Sequence, residues 1–340
     1  MNPTSIGPTL DELRSALGLA VRAPSIHNTQ PWRWVLTSEA LELHADRSRQ
    51  LRAIDPDARS LLISCGGAQY LAVLGLAAAG WSTTVDRLPD PAQPDLLARL
   101  RITGHTPASP QILDLAAAAD RRHTERRPFK PDIVSAGLLD GLTKSVAASG
   151  VYAHAVERPD ERLDLAVVVS WADRLEGEND AYRAELTRWV GREPGADEGI
   201  PASVIPHVAQ GDQRHADVPL RNFEVAKPGG QAIPAGVDEH PVYVVLFTQD
   251  DDDEARLRVG EAYVQISVEA ELRGLASSAA TQAVDLPGVR ERLRMLMSWI
   301  DHPQMILRVG WPPEGPPPAS TPRRSVDVVL TVVDPPPGNG

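Results

Sequence analysis

Leu10, Leu13, Leu17 and Val21 recur at the spacing of one helical face, and Thr9 and Glu12 precede them in a capping-box pattern. The pattern predicts a helix that runs to about Arg22. It stops before Pro24, because the residue ahead of a proline avoids the helical region. Residues 32–37 and 41–45 read as two short strands, an antiparallel pair across Ser38-Glu39-Ala40. A polar connector over 46–57 carries Arg47, Arg49 and Arg52. Residues 57–80 are rich in small residues, alanine and glycine, which predicts a long buried helix that another helix can approach closely. Ser64, Gln69 and the glycines interrupt this run, so it is not read as a membrane span.

Further strands are predicted at 81–88 and 97–104, and helices at 111–120 and 138–148. A strand at 151–156 and a helix at 160–175 follow. Residues 180–240 show scattered glycine and proline with little apolar period, the mark of a lid, binding loop or linker. Order returns with a strand at 242–249, an acidic turn at 250–254, and a helix to about Gly274. A helix at 287–299, a strand at 305–309, a proline-rich stretch at 311–322 and a last strand at 326–332 complete the chain, with a disordered tail at 335–340. Gly66, Ala68 and Gly80 recur as Gly260, Ala262 and Gly274 at the same mutual spacing. Three small residues are a weak repeat, but they fit a duplicated unit.

Composition narrows the function. The 340 residues suffice for two modest domains or one large one. A net charge of -12 disfavours nucleic acid as a partner. The single cysteine, Cys65, cannot form an internal disulfide and points to a reducing cytoplasm; residues 1–8 show no signal-peptide pattern. No dinucleotide fingerprint, phosphate-binding P-loop or metal-ligand spacing occurs among the histidines, so no metal is expected.

Three polar constellations remain. Residues 22–32 hold Ser25, His27, Asn28, Thr29 and Gln30 between Pro24 and Pro31, either a rigid ligand-holding loop or a self-capping turn. Residues 121–127 concentrate four arginines with His123 and Thr124, either a phosphate cradle or a solvated basic turn. Arg323-Arg324 offers the same two readings.

The run Ala23-Pro24-Ser25-Ile26-His27-Asn28-Thr29-Gln30-Pro31-Trp32 resembles the characteristic loop of the flavin-dependent nitroreductases. Arg122-His123-Thr124-Glu125-Arg126 ahead of Phe129 is similar to that family's Arg-x-Ser/Thr-x-Lys/Arg element, and Arg323 or Arg324 matches its C-terminal arginine. In ordinary members the arginine element comes first. The reversed order here, with Ala45-Asp46-Arg47-Ser48-Arg49, Asp55-Pro56-Asp57-Ala58-Arg59 and Cys65-Gly66-Gly67-Ala68, resembles the Acg-like branch, which fuses two nitroreductase halves.

The resemblance implies an α+β fold of tandem halves, each a mainly antiparallel sheet flanked by helices, that form an intrachain pseudo-dimer. The halves are expected at 1–108 and 109–334, with a lid insertion at about 180–240. It further implies one FMN per chain. Ser25, Asn28 and Gln30 would line it from the first half, and Arg122, His123, Thr124 and Arg126 from the second. Arg323 or Arg324 would join the phosphate, and the run with Ser277 and Ser278 would pass the reactive edge of the ring. NAD(P)H is the implied reductant and a nitroaromatic or quinone the implied acceptor, in a monomer or homodimer. The alternative is a lid-closed protein that stores FMN with little turnover.

Overall fold

A computed structural model of the chain describes residues 7–193, 195–207, 215–223, 229–232, 237–238 and 240–333. The expected tail and parts of the 180–240 stretch lie outside the described residues.

The chain opens with α1 (Leu10–Ala20), whose Thr9 and Glu12 form the expected reciprocal cap. The pair β1 (Trp32–Leu36) and β2 (Leu41–Ala45) follows, then α2 (Arg59–Ala78), β3 (Trp81–Arg87) and β4 (Leu96–His105). Next come α3 (Pro110–Arg121), α4 (Ala136–Lys144), β5 (Tyr152–Val156), α5 (Pro159–Glu178) and α6 (Asp180–Trp189). After short extended pieces, β6 (Val242–Thr248), α7 (Asp253–Leu272), β7 (Ala276–Ala279), α8 (Gln282–Asp285), α9 (Pro287–Leu296) and β8 (His302–Gly310) lead to α10 (Val326–Val329) and β9 (Leu330–Val332).

Two sheets flanked by helices make an α+β fold. The first has the order β9-β1-β2-β4-β3 and is antiparallel except where β9 runs parallel to β1, Leu330 beside Trp34. The second, β7-β8-β6-β5, is antiparallel throughout. The end of the chain therefore closes the sheet that its beginning opened.

Between the sheets α2 and α7 cross. A Cβ on Gly66 would stand 2.0 Å from the Leu257 carbonyl oxygen, and a Cβ on Gly260 would stand 2.0 Å from that of Ile63. The contact is reciprocal, and only glycine permits backbones this close. The two helices are equally long and their ranges are displaced by one offset, 194 residues (253 − 59), the offset of the small-residue repeat. α2 is long and apolar enough to cross a membrane, yet 78% of its apolar window is buried inside the protein.

Two expectations need correction. The 180–240 stretch begins with a regular helix, α6: the Asn179 side chain caps it and Tyr182 and Leu186 bury one stripe. Asp180, Arg183, Glu185 and Arg188 around it mask that stripe in the sequence. The last strand is also shorter than the apolar run predicts. Val326–Val329 make one helical turn, with the Val328 amide donating to the Ser325 carbonyl, and only Leu330–Val332 pair with β1.

Candidate functional site

The loop after α1 is held in an unusual shape. Ser25 Oγ accepts from the Gln30 amide at 2.9 Å, and Ser64 Oγ, on α2, accepts from the Ile26 amide at 3.1 Å. His27, Asn28 and Gln30 have φ of +44°, +57° and +50°, a left-handed conformation that non-glycine residues seldom adopt. Bonds to remote segments over-determine it. Asn28 Nδ2 donates to the carbonyls of Gly199 (2.9 Å) and Pro322 (3.0 Å), and Gln30 Nε2 donates to that of Asp197 (2.9 Å). The Arg324 amide donates to Gln30 Oε1 at 2.8 Å, and its guanidinium to the Gln30 carbonyl at 3.2 Å. Gln30 and Arg324 thus hold each other and stand outside the cleft described next, while Ser25 and Asn28 line it.

The arginine element runs extended after α3, so its side chains alternate. Thr124 bridges to Ser277, and the Glu125 amide donates to the Ser277 carbonyl at 3.0 Å. On one side Glu125, fully buried, takes a two-pronged grip from Arg127 at 2.9 and 2.6 Å. Arg308, on β8, donates to Asp238 Oδ2 at 2.6 Å and to the Arg127 carbonyl at 3.0 Å, with its guanidinium 3.8 Å from the Phe129 ring centroid. The other side faces a cleft.

That cleft comprises two adjoining hollows that share Thr124, Arg126, Thr321 and Arg323. Counting the space open to solvent, the larger encloses about 1280 Å³ and the smaller about 680 Å³. Together they can take a ligand of cofactor size. Ser25, His27, Asn28, Tyr263 and Ser278 border the larger hollow; Arg22, Arg122 and His123 border the smaller. Ser277 borders neither hollow, and its backbone pairs with the arginine element at Thr124 and Glu125.

The smaller hollow is strongly positive. Neighbouring arginines are paired: Arg22 with Asp120, Arg121 with Glu271, Arg127 with Glu125 and Arg324 with Asp46. Among the described residues Arg122, Arg126 and Arg323 form no ion pair. Nε of Arg122 and of Arg323 is buried without a hydrogen-bond partner. Burial, reinforced by Arg122, Arg22 and Arg126, pushes Arg323 down to about 9. Burial, with Arg122 adding repulsion, pushes Arg126 down to about 10. Guanidinium groups left in this state lack an anion, and a phosphate supplies the matching charge and acceptors. Asn28 Oδ1 and His27 Nε2 are likewise buried without partners along the larger hollow. Burial, then the charges of Arg221 and Arg126, holds the His27 imidazole neutral, its pKa well below the ordinary value.

The larger hollow also has residues that no motif announced. Arg221 comes from the irregular stretch, Thr321 from the proline-rich segment, and Tyr263 and Asp285 from helical positions. Arg22 and His27 stood inside the conspicuous loop sequence, and their neighbours' polarity was the only signal for them.

No family model matches the chain. It is 37% identical over 329 residues to a Mycobacterium tuberculosis protein with the provisional name NAD(P)H nitroreductase Rv3131, covering 95% of this chain and 92% of that protein. It is 32% identical over 336 residues to a second protein of that organism, with the provisional name NAD(P)H nitroreductase acg, covering 95% and 96%. A solved nitroreductase with bound FMN from Desulfitobacterium hafniense overlaps 61% of this chain and 93% of its own at 11% identity and a TM-score of 0.39, too low to bear on the reading.

Proposed function

Because the chain belongs to the nitroreductase family, in the branch that contains Acg and Rv3131, we propose that it is an FMN-dependent oxidoreductase that draws on NAD(P)H. The observation that carries this reading is a trio of guanidinium groups without an ion pair among the described residues, Arg122 buried and Arg126 and Arg323 half-buried, at one end of a long cleft. Arg122, Arg126 and Arg323 would hold the phosphate, with Thr124 and Thr321 bordering both hollows. Ser25, Asn28 and Ser278 would line the remainder, and the free Asn28 Oδ1 offers an acceptor there. Gln30 and Arg324 act as positioning residues that fix the loop against the end of the chain. His123 borders the phosphate end. When bound, the flavin supplies two-electron redox chemistry. The protein supplies charge, shape and exclusion of water.

The chain reads as two fused halves. The reciprocal α2–α7 crossing and the one-offset repeat support this, and so does the first sheet's completion by β9. The loop belongs to one half and the arginine element to the other, so one FMN per chain is expected. The segment around Glu198 serves as the lid. Its Gly199 amide donates to the Asn28 carbonyl at 3.1 Å, and Arg49 pairs with Glu198. A nitroaromatic or quinone is the acceptor class, and a reducing cytoplasm suits the single buried thiol.

Bound flavin is measured by absorbance against protein concentration, and the holoprotein is then mixed anaerobically with NADH or NADPH. One flavin per chain and bleaching of the flavin band are expected. Two flavins per chain would overturn the single site. A flavin that stays oxidised for minutes would overturn the oxidoreductase and leave a storage protein.

A further inference from the structure

Away from the arginine cradle, the larger hollow ends against a second polar group whose partners are almost complete. Arg221 Nη1 donates to the Tyr182 hydroxyl at 2.6 Å, and its Nη2 donates to Asp285 Oδ2 at 2.6 Å and Glu176 Oε1 at 3.2 Å. Thr281 Oγ1 donates to the same Asp285 Oδ2 at 2.9 Å. The other oxygen, Asp285 Oδ1, has no hydrogen bond, although the side chain is only 3% exposed and borders the hollow. Its nearest cation, Arg59 Nη2, stands 3.9 Å away and donates instead to the Val284 carbonyl at 2.8 Å. A buried carboxylate oxygen without a donor is costly, so a ligand that brings one is favoured there.

Charge decides what kind of donor. Asp285 already faces two guanidinium groups, Arg59 and Arg221. A cationic ligand would meet both, whereas a neutral N–H meets only the free oxygen. Ile63, Leu220, Phe223 and Met305 border the same hollow and favour a planar, apolar body. We propose that Asp285 is a specificity-determining residue of this cleft, and that its free oxygen accepts a hydrogen bond from the carboxamide of a planar ring. The inference rests on the oxidoreductase reading for its meaning. Both a reduced nicotinamide and a ring acceptor can carry such a group, so the test uses both.

The protein as purified is titrated with two matched pairs, nicotinamide against methyl nicotinate and 4-nitrobenzamide against methyl 4-nitrobenzoate, followed by tryptophan fluorescence. Each ester keeps the ring and the carbonyl and lacks the N–H. In at least one pair the amide is expected to bind about tenfold more tightly, the worth of one hydrogen bond. The pair that shows the preference identifies the ring. In Asp285→Asn the new side chain must turn its oxygen to Arg221 and Thr281, both donors, so its NH₂ replaces Oδ1 at the cleft. The preference should then vanish or reverse toward the ester. Equal binding of amide and ester to the unaltered protein in both pairs overturns the proposal, whatever the variant's folding. An unchanged preference in a folded Asp285→Asn overturns it as well. A preparation without flavin, or with flavin that NADPH does not bleach, would defeat the oxidoreductase reading while the amide-to-ester ratio still reports on Asp285.

Discussion

Two sets of arginines meet at one cleft and differ in whether their charge is answered. Arg308 and Arg221 are buried among carboxylates and hydroxyls of their own chain, Arg308 on Asp238 and Arg221 on Asp285, Glu176 and Tyr182. Arg122 is buried and Arg126 and Arg323 are half-buried, and the three lie close enough to repel one another with no carboxylate paired to any of them among the described residues. A buried charge that the fold needs is paired within the fold, because an unpaired one costs several kcal/mol. A buried charge left unpaired is maintained for something the chain itself does not contain. On the function proposed above, the contrast separates residues that build the cleft from residues that would bind its ligand.

The sharpest way to break the contrast is at the answered pair. Arg308→Met strands Asp238 and removes the donors to the Glu125 and Arg127 carbonyls. A loss of about 3–5 kcal/mol in urea unfolding is expected. The double variant with Asp238→Leu should recover part of it, since removing both charges leaves none stranded. A single variant that loses under about 1 kcal/mol would remove the structural role assigned to this pair.

The unanswered set should behave the other way. Arg122→Ala takes away a cation that is 7% exposed, disfavoured by burial and without an ion pair among the described residues, so the flavin-free protein should change by less than about 1 kcal/mol. Affinity for FMN should fall by on the order of 2–4 kcal/mol, about 30- to 1000-fold, through lost phosphate pairing. Fluorescence titration with FMN reads the second number and thermal unfolding without flavin reads the first. A large loss of stability with unchanged affinity would place Arg122 with the structural arginines.

The same contrast explains what the sequence could disclose. Both Ser25–Trp32 and Arg121–Arg127 announce themselves, because dense polar residues beside proline or at a helix end are locally conspicuous. Their division of labour is not local. Gln30 looks as ligand-like as Asn28 until Arg324, 294 residues away, takes its oxygen. Arg127 looks like Arg126 until the alternation of an extended chain turns it onto Glu125. Asp285 and Arg221 carry no motif, and only the fold brings α8 and the irregular stretch to one wall. The paired helices were more legible, since Gly66 and Gly260 of the 194-residue repeat answer a backbone contact that admits only glycine. The α6 helix escaped notice because a stripe of Tyr182 and Leu186 is too sparse to outweigh the charges around it.

The smallest expected effect tests how completely the Arg221 group is answered. Burial first, and the nearby Asp285 and Asp173 charges after it, push Glu176 up to about 7 against an ordinary 4.5, even with Arg221 pulling the other way. Between those two values the folded protein binds more protons at this site than the unfolded chain does. Stability contributed by the site is therefore present below pH 4.5 and lost as pH rises toward 7, with no further loss above. Glu176→Gln cannot ionise and should flatten the dependence of the unfolding midpoint across that window, by on the order of 1–2 kcal/mol. Equal slopes in the variant and the unaltered protein would mean that Arg221 fully offsets the burial of Glu176. The second arginine group would then be as complete as that of Arg308, with Asp285 Oδ1 left without a donor.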